Sequence, residues 1–160
     1  MVVIVTGKIN DFKTTKMCAL YEQDYQGDGF VSIKTMRDDR VYSYHAMRLS
    51  TGERRLLVLR DSFFNDEFTI ACQIGPYLFN QETLDWMEQN ITIMLKDNIK
   101  PIYLDEVGVL ELSDEGTHPI LVKLLASKTP LVLSMREDLI EPLTKKYQWE
   151  IEKIIITSQS

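Results

Sequence analysis

An apolar run opens the chain and leads directly into a loop and a helix. Residues 1–6 read M-V-V-I-V-T, and an unbroken run of β-branched residues is typical of a strand that is buried on both faces. The stretch 16–22 contains neither Gly nor Pro, as expected for a helix. Between them, residues 7–15 read G-K-I-N-D-F-K-T-T. A strand, a tight loop and a helix that starts with Lys-Thr-Thr are the arrangement of a phosphate-binding loop.

The residue types at the start of this helix suit a phosphate group and a magnesium ion. Free backbone N–H groups and the positive end of the helix dipole meet there. Lys13 would place its charge on the β- and γ-phosphates, and Thr14 would offer its hydroxyl to Mg²⁺. The full motif is G-x-x-x-x-G-K-[ST], and Phe12 stands where the second glycine belongs. The alternative is that Gly7 forms a simple turn and Lys13 is a solvated lysine.

Composition bounds the class of protein. The 160 residues, 44% of them hydrophobic and 26% charged, predict a single folded domain over residues 1–160. A net charge of −6 argues against nucleic acid as a partner, because nucleic-acid-binding domains usually carry a basic stripe. Cys18 and Cys72 do not form a C-x-x-C pair, which disfavours a zinc site. No apolar run of 18 residues and no signal sequence occur, so we expect no membrane association and a cytoplasmic location.

Strands and helices alternate along most of the chain. The pattern predicts strands at 2–6, 101–106, 130–134 and 150–157, and helices at about 13–24, 80–96, 114–127 and 136–147. Asn80 and Ser113 are the predicted N-caps of the second and third helices. Residues 30–60 contain alternating β-rich runs separated by turns, which predict an antiparallel hairpin or meander insertion. Residues 61–79 are predicted to be irregular, with a short strand near 68–72. The whole predicts an α/β fold with a mostly parallel sheet flanked by helices.

A second motif with chemical potential follows the predicted strand at 101–106. Residues 102–106 read I-Y-L-D-E, the arrangement of a Walker B strand. The carboxyl end of a buried parallel strand would bring both acids beside the phosphate loop. Asp105 would then support the Mg²⁺ shell, and Glu106 would orient and deprotonate the attacking water. The alternative is a strand that ends in two solvated acids.

Several arginines could stabilise the charge on a transferred phosphate. Arg136 follows a buried strand and is therefore expected at the carboxyl edge of the sheet. The remaining candidates lie in the meander: Arg37, Arg40, Arg48, Arg54, Arg55 and Arg60. For each of them, a solvated strand face is the alternative.

Five short segments, in order and at compatible spacing, resemble the signatures of the THEP1-type nucleoside-triphosphatases. These segments are G-F at 29–30, M-R at 36–37 with Arg40, L-S-T-G-E at 49–53, I-G-P-Y at 74–77 and D-E-V-G-V-L-E-L at 105–112. The last is the most specific. The resemblance covers nearly the whole chain, and it implies a P-loop NTPase with a RecA-like sheet.

The resemblance also implies roles for individual residues. It implies Mg²⁺ as cofactor and ATP or GTP as ligand, with hydrolysis of the γ-phosphate. Catalytic roles fall on Lys13 and Glu106, and metal-binding roles on Thr14 and Asp105. The implied nucleotide-binding residues are Gly7, Lys8, Ile9, Asn10, Asp11, Phe12, Lys13, Thr14 and Thr15.

The chain departs from the family pattern G-E-P-G-V-G-K-T-T at the phosphate loop. Asn10 and Phe12 replace two glycines, and a bulky residue such as Phe12 would be strained by about 1–2 kcal/mol if the loop required φ > 0 there. Asp11 adds a carboxylate beside an anion site, for which Lys8 partly compensates. Pro76 replaces a basic residue of the family. We therefore expect slow or residual hydrolysis.

Two other functions stay open at the level of the sequence. One is a catalytically degenerate binding or regulatory module, which the altered loop favours and the intact acid pair disfavours. The other is a phosphotransferase that acts on a small acceptor, with an acceptor pocket within residues 61–79.

Overall fold

A computed structural model describes residues 1–8 and 12–157. The strands are β1 (Val2–Gly7), β2 (Asp28–Arg37), β3 (Arg40–Arg48), β4 (Arg54–Arg60), β5 (Ile70–Ile74), β6 (Tyr77–Asn80), β7 (Ile102–Leu104), β8 (Leu131–Arg136) and β9 (Ile151–Ile156). The helices are α1 (Lys13–Glu22), α2 (Gln81–Lys96), α3 (Val109–Leu112), α4 (His118–Ser127) and α5 (Ile140–Tyr147). Short 3₁₀ turns occupy Asp61–Phe63 and Glu137–Leu139. Within the described ranges, every helix is too short or too polar to span a bilayer.

The strands form one sheet in the order β5-β6-β4-β3-β2-β7-β8-β1-β9. From β2 to β9 all neighbouring strands are parallel, and from β2 to β5 they are antiparallel. Strand β2 joins the two halves, because its first three residues pair with β7 and residues 30–37 pair with β3. The α/β prediction is confirmed, and the antiparallel meander predicted at 30–60 belongs to the same sheet as the parallel strands.

Helices cover the two faces of the sheet unequally. Helix α1 packs on one face through Met17 and Tyr21, which lie in a cluster with Val5, Val31 and Tyr103. The larger core lies on the other face, where α2, α4 and α5 contribute buried apolar residues. Neighbouring residues of β1, such as Ile4 and Val5, are fully buried in different clusters, which explains why this strand is apolar throughout.

A glycine lets β2 and β7 approach each other at the junction of the two halves. Gly29 has φ +144°, and a Cβ on it would lie 2.1 Å from the carbonyl oxygen of Tyr103. Only glycine fits such a contact. Beside it, the Asp28 carboxylate accepts hydrogen bonds from Arg48 at 2.8 Å and from Ser50 at 2.6 Å, which fixes the start of β2 against the end of β3.

Two segments differ from the predicted elements. Residues 61–79 contain the start of a hairpin, because β5 pairs with β6 across the two-residue loop Gly75–Pro76. The helix predicted at 114–127 begins only at His118, and Ser113 ends the short helix α3 instead of capping α4. The late start agrees with the preference of proline for the first turn of a helix, where Pro119 lies.

Candidate active site

Four elements bring polar side chains together at the carboxyl edge of the parallel strands. Strand β8 lies between β1 and β7, and it pairs Ser134 with Val5 and Leu133 with Leu104. This register therefore brings three segments side by side along the sheet: the end of β1, the middle of β8 and the residues that follow β7. Helix α1 begins at this edge with Lys13 and Thr14.

The Asp105 carboxylate is the centre of a hydrogen-bonded network. Its side chain is buried, with 6% of its surface exposed. One carboxylate oxygen, Oδ2, accepts hydrogen bonds from the Thr14 hydroxyl at 2.6 Å and from the Ser32 backbone N–H at 3.0 Å. The other oxygen, Oδ1, accepts a hydrogen bond from the Ser134 hydroxyl. Because these donors lie on α1, β2 and β8, one carboxylate joins three elements.

Lys13 lies at the start of α1 with its ammonium group turned back over the loop. It is 4% exposed, and its Nζ donates a hydrogen bond to the carbonyl oxygen of Lys8 at 3.2 Å. The first turn of α1 contains no acidic side chain, so the positive end of the helix dipole is not neutralised by the helix itself. This combination of charge and backbone N–H groups suits a phosphate group.

Phe12 has a negative φ, as is normal for a residue with a side chain. Its φ is −77° and its ψ is 44°, so the left-handed strain expected for this position does not arise. More than half of its surface, 55%, is exposed. The neighbouring predicted binding residues Ile9, Asn10 and Asp11 lie outside the described residues.

Glu106 follows Asp105 in a strained backbone conformation. Its φ is +60°, which is uncommon for a residue other than Gly, Asn or Asp and is found more often at functional sites. Its backbone N–H donates a hydrogen bond to the Ser134 hydroxyl oxygen at 2.8 Å. The Ser134 hydroxyl thus contacts both acids: it accepts from the backbone of Glu106 and donates to the carboxylate of Asp105.

The surroundings of Glu106 raise the pKa of its carboxyl group. Burial raises the pKa of Glu106 to about 7, and the nearby charge of Asp105 adds to the rise. Lys13, Lys34 and Arg136 act in the opposite direction. Glu106 is nevertheless an exposed residue, so solvent reaches its carboxylate although protein atoms lie close around it. An acid with a pKa near the working pH is suited to general base catalysis.

The oxygen atoms of Thr14 and Asp105 fit a magnesium site. Mg²⁺ prefers octahedral oxygen ligands at about 2.0–2.1 Å, which places neighbouring ligands about 2.9 Å apart. The distance of 2.6 Å between Thr14 Oγ1 and Asp105 Oδ2 is close to that separation. No group of three or more His, Cys, Asp or Glu residues that could hold a metal ion occurs in ranges 1–8 and 12–157. Mg²⁺ in nucleotide sites typically uses few protein ligands together with phosphates and water.

Four arginines of the antiparallel half contact other residues of the sheet or of α2. Arg48 pairs with Asp28, and Arg60 donates to the Val41 carbonyl and the Tyr77 hydroxyl. Arg37 lies over the ring of Tyr42, and Arg55 over that of Trp86.

Arg136 is the arginine whose charge acts on Glu106. It forms two hydrogen bonds to Asp138 at 3.1 and 2.9 Å.

Glu111, in the most specific block of the resemblance, has a structural place next to the site. It is 4% exposed and accepts hydrogen bonds from the backbone N–H groups of Gly108 at 2.5 Å and Thr117 at 2.8 Å. Burial raises the pKa of this carboxyl group. Because both donors lie in the loops that flank α3, Glu111 holds the segment after Glu106 in place.

A cavity of about 230 Å³ opens beside Glu106. It lies between the antiparallel half of the sheet and the segment that runs from Leu104 to Glu111. Most of its wall is apolar, and its polar rim includes Asp105, Glu106 and Arg136. The β5–β6 hairpin contributes Ile74, Tyr77 and Phe79 to the wall.

The structure thus brings together Lys13, Thr14, Asp105 and Glu106, all of which were candidates from the sequence. Two further groups at this site, the Ser134 hydroxyl and the Ser32 backbone N–H, were not predicted. Ser134 could have been found, because it is a polar residue in the otherwise apolar run L-V-L-S-M of β8. The Ser32 contact has no such signal, since every residue except proline has a backbone N–H and the residue type therefore does not reveal it.

The fold and this edge of the sheet together define a P-loop NTPase, in which one strand separates the phosphate-loop strand from the strand that precedes the acid pair. A family model described as "NTPase" matches residues 2–159. The chain therefore belongs to this NTPase family, and the predicted resemblance is confirmed.

Two solved structures share the fold. One is THEP1 from the hyperthermophile Aquifex aeolicus, with 20% sequence identity and a TM-score of 0.68, covering 98% of this chain and 88% of that one. The other is the solution structure of a human cancer-related nucleoside triphosphatase, with 16% identity and a TM-score of 0.62, covering 99% and 88%. No curated protein matches the chain.

Proposed function

We propose that this protein binds a nucleoside triphosphate with Mg²⁺ and hydrolyses its γ-phosphate slowly. The observation that carries the proposal is the hydrogen bond of 2.6 Å between Thr14 and Asp105. It joins the phosphate-loop helix to the acid pair, so the residues for binding and for water activation belong to one site. ATP and GTP are both candidate ligands. A single domain, a cytoplasmic location and the absence of nucleic-acid partners remain our predictions.

Binding of the phosphates would fall to the start of α1. The Lys13 ammonium group would exchange its contact with the Lys8 carbonyl oxygen for the β- and γ-phosphate oxygens. Backbone N–H groups of the first helical turn would bind further phosphate oxygens, and the helix dipole would favour their negative charge. Of the nine residues proposed to bind nucleotide, Lys13 and Thr14 have the most direct support, because they lie at this helix start.

Thr14 and Asp105 would hold the magnesium ion. When bound, Mg²⁺ neutralises charge on the phosphate oxygens and makes the phosphorus more susceptible to attack. The contacts of Asp105 with Ser32 and Ser134 keep its carboxylate in place, so that little rearrangement is needed on binding. Such second contacts orient metal ligands in many sites.

Glu106 would act as the general base. Its ionised carboxylate would accept a proton from a water molecule as the water oxygen attacks the γ-phosphorus. Because its pKa is raised to about 7, the carboxylate is basic enough to take the proton and is still substantially ionised at neutral pH. Arg136, on the same rim, would stabilise charge on the transferred group.

The phosphate loop supports a second candidate function, a binding or regulatory module without turnover. Residues 10–12 read N-D-F, where glycines would let the backbone approach the phosphates more closely. A displacement of about 1 Å in the γ-phosphate can cost about two orders of magnitude in rate. The two functions differ in turnover and agree in nucleotide binding.

Release of phosphate from Mg²⁺-ATP and Mg²⁺-GTP tests the proposal. We expect slow release by the wild-type protein, and its loss in Lys13→Met, which keeps a long side chain and removes the charge. Lys16→Met is the matched control, because it removes a charge one turn further along α1; we expect it to keep the wild-type rate. Equal rates in Lys13→Met and wild type would overturn the proposed site. Nucleotide binding without release, measured by equilibrium dialysis, would favour the binding module.

A further inference from the structure

The cavity beside Glu106 is larger than hydrolysis requires. A water molecule occupies about 30 Å³ in the liquid, whereas this cavity has a volume of about 230 Å³. It is also poorly suited to water, because its wall is formed mainly by apolar side chains such as Phe30, Ala46, Ile74 and Phe79. An apolar cavity of about 150 Å³ is enough to bind benzene, so a single substituted ring or a short branched chain fits here.

Polar groups line the cavity where it meets the proposed catalytic site; the other polar pair of the wall, Glu111 and Thr117, is hydrogen-bonded to itself. Asp105, Glu106 and Arg136 lie on this rim. The Tyr44 side chain also lines the cavity, and its hydroxyl has no hydrogen-bond partner among the residues that the structure describes. Burial and the charge of Glu106 raise the pKa of Tyr44 to about 12, so this hydroxyl stays protonated and can donate a hydrogen bond. An apolar body with one polar end matches this distribution.

We propose that the cavity binds a small uncharged alcohol with an apolar body, and that the hydroxyl of this alcohol competes with water as the acceptor of the γ-phosphoryl group at Glu106. The proposal rests on the function proposed above, since the phosphoryl donor is the bound nucleoside triphosphate. It extends that function from transfer to water to transfer to an organic acceptor.

The transfer balances with the groups already at the site. The hydroxyl oxygen of the alcohol forms a bond to the γ-phosphorus while its proton passes to the Glu106 carboxylate. The bond between the γ-phosphorus and the β,γ-bridging oxygen breaks, and its electron pair leaves with the nucleoside diphosphate. The products are a phosphate monoester and the diphosphate, and Glu106 returns its proton to solvent.

Three alcohols that differ in their apolar body serve as probes: benzyl alcohol, 2-phenylethanol and 3-methylbutan-1-ol. Binding is measured by saturation-transfer NMR without nucleotide, and ethanol is the control that lacks an apolar body. We expect at least one of the three to bind at millimolar concentration. In the presence of γ-³²P-labelled ATP and Mg²⁺, we expect the label to appear in its phosphate ester as well as in inorganic phosphate.

A pair of variants on one strand tests whether the cavity is the site. Ile74 lines the cavity and is 37% exposed, whereas Ile70 is 44% exposed on the same strand and does not line it. We expect Ile74→Arg to weaken alcohol binding at least tenfold and Ile70→Arg to change it less than twofold. Tyr44→Phe keeps the shape of the wall, and we expect it to weaken alcohol binding several-fold.

Each outcome separates the cavity from the proposed hydrolysis. Absence of binding by all three alcohols, or equal binding in Ile74→Arg and Ile70→Arg, overturns the cavity site. Binding in the expected pattern with label only in inorganic phosphate overturns the acceptor role. Binding in the expected pattern without any turnover of ATP means that the proposed triphosphatase function has failed, and the acceptor role with it, while the alcohol site stands.

Discussion

The two halves of the active-site edge differ in how closely their residues are held. The Asp105 carboxylate is buried and accepts three hydrogen bonds from α1, β2 and β8. On the phosphate-loop side, Phe12 is 55% exposed, and Lys13 contacts the loop through one hydrogen bond of 3.2 Å. Asp105 is therefore fixed by three elements, whereas on the phosphate side the exposed Phe12 precedes the buried Lys13 at the start of α1.

This difference explains how the phosphate loop can diverge while the acid pair keeps its setting. A change at Asp105 would leave buried donors on three elements without a partner, which costs stability. A change at residue 12 alters a largely exposed side chain whose backbone has φ −77°, and a negative φ does not require glycine. Stability therefore constrains Asp105 more strongly than it constrains residue 12.

The largest expected effect concerns Glu106. We expect Glu106→Gln to lower the rate of phosphate release by at least 100-fold while it leaves nucleotide affinity within a few-fold, because loss of a general base typically costs about 10²–10⁴ in rate. The wild-type rate should rise with pH through about 7, as Glu106 ionises. Glu141→Gln, an exposed acid on α5, is the control. Unchanged turnover in Glu106→Gln would remove Glu106 from the catalytic role.

The next largest effect separates two buried serines. Ser134 donates to Asp105 and accepts from the Glu106 N–H, so we expect Ser134→Ala to lower the free energy of unfolding by about 2 kcal/mol, a fall in Tm of about 4–8 °C. Ser43 is equally buried, but its hydroxyl has no partner among the described residues. Ser43→Ala should therefore leave Tm unchanged or raise it slightly. Equal losses in both variants, measured by thermal unfolding, would contradict the network.

A smaller effect tests the loop side. Because Phe12 has φ −77°, glycine and alanine should both fit its backbone, and the ring is what differs from the family pattern. We expect Phe12→Gly and Phe12→Ala to raise the rate of phosphate release by similar factors, about tenfold each. If only the glycine variant gains activity, the nucleotide-bound loop needs φ > 0 at this residue, and our account of the loop is wrong.

The smallest effect is the dependence of stability on pH. The raised pKa of Glu106 means that the folded protein holds a proton that the unfolded chain releases between about pH 4.5 and pH 7. The contribution of Glu106 to stability is thus lost as pH rises through this window. After allowance for its solvent exposure, the loss is about 1 kcal/mol. Glu106→Gln should have the same Tm as wild type at pH 4.5 and a Tm about 2–4 °C higher at pH 8. Equal Tm values at both pH values would contradict the shift.

The sequence predicts the parts of this molecule that depend on local pattern. Residue types at fixed spacings reveal the apolar run of β1, the Asn80 cap of α2 and the acids after β7. The cap is confirmed by the hydrogen bond from the Glu82 N–H to Asn80 at 3.0 Å. The strand order is not, because β2 pairs with β7, which lies more than sixty residues further along the chain. The direct contact between Thr14 and Asp105 depends on that order, and so do the contacts of Ser134.

The errors of the prediction have physical causes. Ser113 has the residue type of a helix N-cap, yet the Glu111 carboxylate binds the Thr117 N–H at 2.8 Å and so organises the turn before α4. The β5–β6 hairpin was missed although Gly75 and Pro76 form a turn signal, because the aromatic residues around them obscure the alternation of a strand. The sequence left open an acceptor pocket within residues 61–79, and three residues of that segment line the cavity beside Glu106. The rest of the wall could not be predicted, since it combines residues from both halves of the sheet.

Thermal unfolding with and without Mg²⁺-ATP tests the central claim most directly, namely that Lys13, Thr14 and the acid pair form one nucleotide site. At a ligand concentration of about 100 times Kd, binding adds about 2.7 kcal/mol, which raises Tm by about 5–10 °C. We predict this rise for the wild-type protein and for Lys16→Met, and its loss in Lys13→Met. No rise with Mg²⁺-ATP or Mg²⁺-GTP at millimolar concentration, or an equal rise in Lys13→Met, would contradict the claim.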